Sequence, residues 1–395
     1  MTYQIIDGIP VFGEVELSVI NQMKTCMEPD AAIRGAVNAD GHKGYSMPIG
    51  GVIAYRGMVS PSGAGYDIGC GSSAVLLNLD IVDIKPNIAR IMDDIFSVLS
   101  FGVGRKNNET VDDPVFDSPA WGASPVSREL KELAVGQFGS IGSGNHHVNI
   151  MVDDGNKVWV VCHFGSRGFG HKVATHFIKA GGGRDGIDVP PVLLPDSSDI
   201  GQEYLHCMLL AGEYASRARA WVVRKVASLL GAEILDEVNR HHNFVFRERH
   251  DGDDLWVVRK GATPAFPGMR SFIGGSMGDN SVIVEGIDSD ESRLALYSAP
   301  HGAGRVMSRT QAAGKRGKRG APRKGGLISR EMMMEWLRPL GVELRGAGVD
   351  ESPHVYRRID DVLRHHSNTL RVIHVLRPIG VAMAGADLPF DPYAD

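Results

Sequence analysis

The chain has 395 residues, 43% hydrophobic and 23% charged, values ordinary for one large or two average globular domains with a sizeable core. A net charge of −5 argues against nucleic-acid binding through overall basicity, although local patches matter more than the sum. The four cysteines, Cys26, Cys70, Cys162 and Cys207, are too widely spaced for a disulfide framework. The opening "MTYQIIDGIPVFGEVELS" has no basic stretch followed by an apolar one, and no apolar run reaches bilayer length, so a reducing cytoplasm is the expected compartment.

Taken in chain order, residues 48–59 and 72–79 read as short strands flanking the glycine loop "GYDIGCG". Ile88, Ile91, Met92, Ile95, Phe96 and Leu99 recur at helical spacing, which predicts a helix over 86–100 with one buried face. Val158–Cys162 reads as a buried strand running into a loop. A long loop is expected over 180–200, then one or two helices over 200–238. "DLWVVRKGA" and "NSVIVEGI" read as strands ending in polar loops, and 311–326 as a second loop with six Lys or Arg and no acid. Interspersed strands and helices, with polar motifs at strand ends, predict an α+β (mixed α/β) fold of one domain, 1–395, with loop insertions around the site.

The chemistry concentrates in eight polar clusters, five of which contain histidine. Thiolate, imidazole and carboxylate together make a ligand set for a borderline transition ion. Asp67 and Cys70 fit a metal half-site or a turn with an incidental cysteine. His146, His163 and His242, each in an expected loop, fit ligands or hydrogen-bonded structural histidines, and spacing alone does not decide. In "HGAGR", the glycines let backbone approach a ligand, Arg305 offers a bidentate grip on phosphate, and His301 could be a covalent nucleophile or a further ligand. "GSMGDNS" fits a phosphate-cradling loop or a tight turn between strands.

In order, "GYDIGCG", "GSGNH", "GSRGFGH", "HHN", "RKGA", "GSMG" and "HGAGRVMSR" resemble the RtcB family of RNA-splicing ligases from about residue 38 to about 385, leaving a tail at 386–395. The resemblance implies joining of RNA 3′-phosphate or 2′,3′-cyclic phosphate ends to 5′-hydroxyl ends, in RNA repair or tRNA splicing. It also implies two Mn²⁺ ions, GTP, and a mixed α/β fold around a dinuclear centre. By matching motif, Asp67, Cys70 and His146 would hold one ion, and Cys70, His163 and His242 the other. His301 would carry GMP as a phosphoramidate. Asn145, Ser276 and Ser281 would contact the nucleotide, and Arg167 and Arg305 would grip phosphates. Asp40 lies in a family-like "DGHKGY" motif that assigns it no role.

The sequence also departs from the family pattern. Asn149 stands where the family usually has Glu, and Met383 or Ala384 where it has a nucleotide-contacting Lys. Phe164 stands in place of Ser, and Gly275 in place of Pro. A carboxylate reads the guanine N1–H and N2–H pair more decisively than an amide does, so altered nucleotide use is expected. The competing reading is a metal-dependent RNA-end phosphodiesterase or cyclic phosphatase. The basic stretch 315–324 is expected either to contact RNA phosphates or to be a solvated loop.

Overall fold

A computed structural model describes residues 2–315 and 324–385; most of the basic stretch and the tail 386–395 lie outside the described residues. Two sheets carry the architecture. A six-stranded sheet runs in the order Tyr3–Ile6, Ile9–Phe12, Ala32–His42, Ile49–Tyr55, Asp253–Lys260, Asn243–His250. The larger sheet runs Ile234–His241, Gly71–Asp80, Lys157–Phe164, His147–Asp153, Leu370–Gly385, Ser281–Gly286, Arg270–Ile273, with Glu343–Ala347 parallel to Leu370–Gly385.

The expected helix appears as Ile88–Val98, with Ile91, Met92 and Ile95 buried. The stretch 200–238 is a correction: it forms one helix, Asp199–Leu229, and its end turns into the strand Ile234–His241. Ser198 caps this helix by accepting from Gly201 N–H, and Gly231 closes it at a positive φ. Tyr204, Met208, Ala211, Ala215, Ala218, Val222 and Val226 recur every three or four residues, all buried, and pack the helix on the larger sheet.

Strand alternation then sets which residues can meet a ligand. In Lys157–Phe164, Val158, Val160 and Cys162 join the main core beneath the long helix, while Trp159 and Val161 join a cluster on the other face. His163 shares that second face. In the next strand His147 lies opposite His163, and Asn149 opposite Val161. The strand beyond places Val381 opposite Asn149 and Met383 opposite His147. Ala382 and Ala384 turn into the main core, so Met383 is the residue presented on the site's face.

Two of the points where the chain crosses between the sheets are neighbours. Ile234–His241 belongs to the larger sheet and Asn243–His250 to the smaller, so His242 alone spans the seam. Cys70 precedes the strand Gly71–Asp80, and its carbonyl accepts from His242 N–H at 2.8 Å. Among the described residues no helix is long and apolar enough to cross a membrane.

Candidate active site

Five side chains converge at this seam. Cys70 Sγ lies 3.3 Å from His163 Nε2 and 3.6 Å from His146 Nε2. His163 Nε2 is 3.1 Å from His242 Nε2, and His146 Nε2 is 2.9 Å from Asp67 Oδ2. They form two overlapping groups, Asp67–Cys70–His146 and Cys70–His163–His242, each with ligand atoms within 4.8 Å of one another. Cys70 belongs to both groups. His163 is not in a loop, as expected, but ends its strand, which runs to Phe164.

The donor chemistry fits metal ions. Burial first, and neighbouring histidines second, hold His163 and His242 well below the ordinary imidazole pKa, so both rings are neutral and offer lone pairs near pH 7. Burial would raise the Asp67 carboxyl, but His146 beside it and then Arg167 outweigh this and hold it below the ordinary carboxylate value. Cys26 and Cys162 have thiols pushed up to about 12 by burial, which marks them as inert core groups.

Arg219 braces this cluster from the middle of the long helix. Fully buried, it donates to Gly69 O at 2.7 Å, to Phe164 O at 2.9 Å and to Asn239 Oδ1 at 3.0 Å. It thereby ties the loop of Cys70 to the strand of His163. Arg167 begins the helix Arg167–Ala180 at φ 57° and places Nη1 3.1 Å from His146 Nδ1. A guanidinium only donates, so Nδ1 accepts here and Nε2 carries the ring proton. For Nε2 to ligate an ion, that proton would have to move to Nδ1 and Arg167 release it.

His301 follows the strand Ser298–Pro300, with its ring centroid 4.8 Å from that of His242. Its Nδ1 donates to Asp40 Oδ2 at 2.7 Å, and the same oxygen accepts His301 N–H at 3.0 Å. Asp40 is wholly buried; burial would raise its carboxyl, but the bond and charge of His301 bring it below the ordinary value. The pair fixes the His301 tautomer, leaving the Nε2 lone pair available.

A cleft with about 710 Å³ of empty space is lined by His301, Asn145, Asn149, Ser276, Met277 and Met383, among others. The side-chain oxygens of Asn145 and Asn149 and Nε2 of His147 are buried there without a partner. Buried polar groups are rarely left so, and three in one cleft point to a ligand that supplies the missing bonds. Ser276 lines the cleft as expected. Ser281 does not: it is buried, and its hydroxyl accepts from Gly275 N–H at 3.0 Å, a bond that proline at 275 could not donate. Arg305 lines the cleft but gives donors to Met307 O, the Tyr356 hydroxyl and Asp350 O. Phe164 packs into the main core.

The sequence assigned nothing to Asp40, His147 or Arg219. "DGHKGY" marks Asp40 as unusual, but its partner lies 261 residues away. No local signal distinguishes Arg219 from an exposed helical arginine.

A carboxylate-held imidazole beside a cluster of metal-ligand type suits phosphoryl or nucleotidyl transfer. The chain belongs to the RtcB family: the family model for "tRNA-splicing ligase RtcB" matches residues 22–384, beginning earlier than the motifs do. The RNA-splicing ligase RtcB of Escherichia coli K12 is 30% identical over 411 residues, spanning 94% of this chain and 94% of that protein. The tRNA-splicing ligases RtcB of Thermococcus kodakarensis and Archaeoglobus fulgidus are each 31% identical, over 88% and 90% of this chain.

Proposed function

We propose that this chain is a single-domain RNA ligase that carries a nucleotide on His301 and uses it to activate an RNA 3′-phosphate for attack by a 5′-hydroxyl. The observation that carries this reading is the His301–Asp40 pair, 2.7 Å apart, in a cleft beside the candidate ligand cluster. With Nδ1–H held by Asp40, the Nε2 lone pair attacks the α-phosphorus of a nucleoside triphosphate. The bond to the bridging oxygen breaks and pyrophosphate departs. The ring gains positive charge, which the Asp40 carboxylate stabilises. The nucleotide then passes to an RNA 3′-phosphate, and a 5′-hydroxyl displaces it as the monophosphate. A 2′,3′-cyclic end is first opened by hydrolysis.

Asp67, Cys70 and His146 would hold one ion, and Cys70, His163 and His242 a second; manganese is the ion we propose. When bound, such ions supply positive charge to phosphoryl oxygens. Within the protein, His163 and His242 stay neutral through burial, and Arg219 keeps Cys70 in reach of both groups.

The cleft favours relaxed base choice. Asn149 offers an amide where a carboxylate would select guanine, and Met383 gives no charge. One amide orientation matches adenine N6–H and N1; the flipped one matches guanine O6 and N1–H. ATP and GTP should therefore both label the protein. The decisive experiment incubates it with each labelled triphosphate and Mn²⁺. An adduct absent in His301→Ala supports the ligase, and Asn149→Glu should shift labelling toward GTP. Cyclic-phosphate opening without any adduct would establish the phosphodiesterase reading instead. Labelling by GTP alone would refute relaxed base choice.

A further inference from the structure

A second, open groove shares His42 and Arg305 with the cleft and spans about 1160 Å³, open solvent included. Its walls combine two kinds of surface. Tyr45, Ile187, Val306 and Met307 supply apolar faces, with Ile187 45% and Val306 54% exposed. Lys43, Arg305, Arg309 and Arg357 supply cations against one lining acid, Glu16.

Most of these cations already have acidic partners. Lys43 pairs with the exposed Asp188, and Arg309 with Asp350 and Glu351. Arg305 lies 3.7 Å from Glu351. Arg357 differs. It donates to the carbonyls of Gly41, Arg305 and Asp40 at 3.1–3.4 Å, and no carboxylate among the described residues is within ion-pair range. Burial disfavours the Arg357 charge, and the carboxylates of Asp40 and Glu16 support it only from beyond ion-pair range; an anion in the groove would give it a direct partner. The Ile187 wall is held in place: Gln22 donates to Ile187 O, and Ser46 N–H to Gly186 O at 3.0 Å.

The occupant must therefore bring anionic charge and flat apolar faces, and must reach His301 past His42. A duplex has its base faces stacked internally and cannot offer them; a single strand can. We propose that this groove seats a single-stranded RNA segment, with a backbone phosphate on Arg357 and Lys43 and base faces against Tyr45, Ile187 and Val306, leading the reacting end to His301. This rests on the ligase reading of the adjoining cleft.

The test is fluorescence anisotropy of a short labelled single-stranded RNA with the full chain. The double variant Ile187→Glu/Val306→Glu should bind roughly tenfold or more weakly, from lost apolar contact with the bases and added repulsion of the phosphates. Arg357→Gln and Lys43→Gln should each lower the slope of log affinity against log salt by about 0.7, one phosphate contact apiece on a single strand. Nucleotide labelling of His301 in the double variant should match the parent. Wild-type RNA affinity in the double variant, or duplex RNA or an acidic peptide bound equally well, would overturn the groove. If the double variant misfolds, unchanged salt slopes in the two glutamine variants overturn it. RNA binding that depends on the groove, with no adduct from any triphosphate, would remove the ligase reading and leave the groove standing.

Discussion

Replacing Asp40 with Asn tests the nucleophile directly. Oδ2 of Asp40 accepts the His301 ring N–H and backbone N–H, while Oδ1 has no partner. An asparagine can put its oxygen in the Oδ2 position and keep both bonds, so the tautomer survives and only the charge is lost. The carboxylate's role is to stabilise the positive ring that forms when Nε2 bonds phosphorus. Two unit charges about 4 Å apart at an effective dielectric near 20 interact by about 4 kcal/mol. Losing that much from the transition state would slow nucleotide transfer about a thousandfold. The assay is the single-turnover rate of adduct formation, without RNA, at saturating triphosphate and metal. Melting temperature and metal content should stay at parent values. A folded Asp40→Asn protein labelled within tenfold of the parent rate would refute the reasoning.

Further outcomes follow from the surrounding packing. Cys70→Ala should cost both bound ions and the adduct, while Asp67→Ala should mainly weaken one; metal content after desalting reads both, and equal loss in the two would sink the shared-thiolate arrangement. Arg219→Met leaves Phe164 O and Asn239 Oδ1 without this donor, while His241 Nδ1, no longer facing the guanidinium, is free to donate to Gly69 O. Each lost partner costs about 1–3 kcal/mol, offset in part by removing a buried cation, for a net loss near 3 kcal/mol in urea unfolding. Glu248 makes a bidentate pair with the fully buried Arg259 at 2.6 and 3.1 Å. Burial raises its carboxyl, but Arg259 and His250 outweigh this and leave it below the ordinary value. Its stabilisation is thus complete above the unfolded pKa of about 4.3 and lost as pH falls through the lower folded value. Glu248→Gln should lower the melting temperature at pH 7 and shrink its fall in acid; an unchanged acid limb would contradict the assignment.

The candidate ligand set was open residue by residue and became legible only through the ordered motifs of the family resemblance, each a local stretch: a glycine loop presents Cys70, and His163 ends a strand whose apolar run is plain. What the sequence hid is what links distant segments. Asp40 and His301 meet only because a strand of one sheet ends beside the loop after Pro300. The role of Arg219 is visible only once its helix lies across the Cys70 loop. Position 383 was ambiguous with 384 until strand alternation turned Met383 to the cleft and Ala384 to the core. The over-long helix over 200–238 came from low glycine and proline content, which the edge strand Ile234–His241 shares.

Cys70 and His242 occupy two of the places where the chain passes from one sheet to the other, and Asp40 comes from the sheet that supplies neither His146 nor His163. A molecule whose sheets have each formed but have not yet docked would gather the histidines of the larger sheet but leave His301 without Asp40. Under the proposed ligase reading, nucleotide labelling would count finished molecules. In a mixture of mature and partly assembled chains, the labelled fraction would report assembly itself, and incomplete chains would stay inert toward nucleotide.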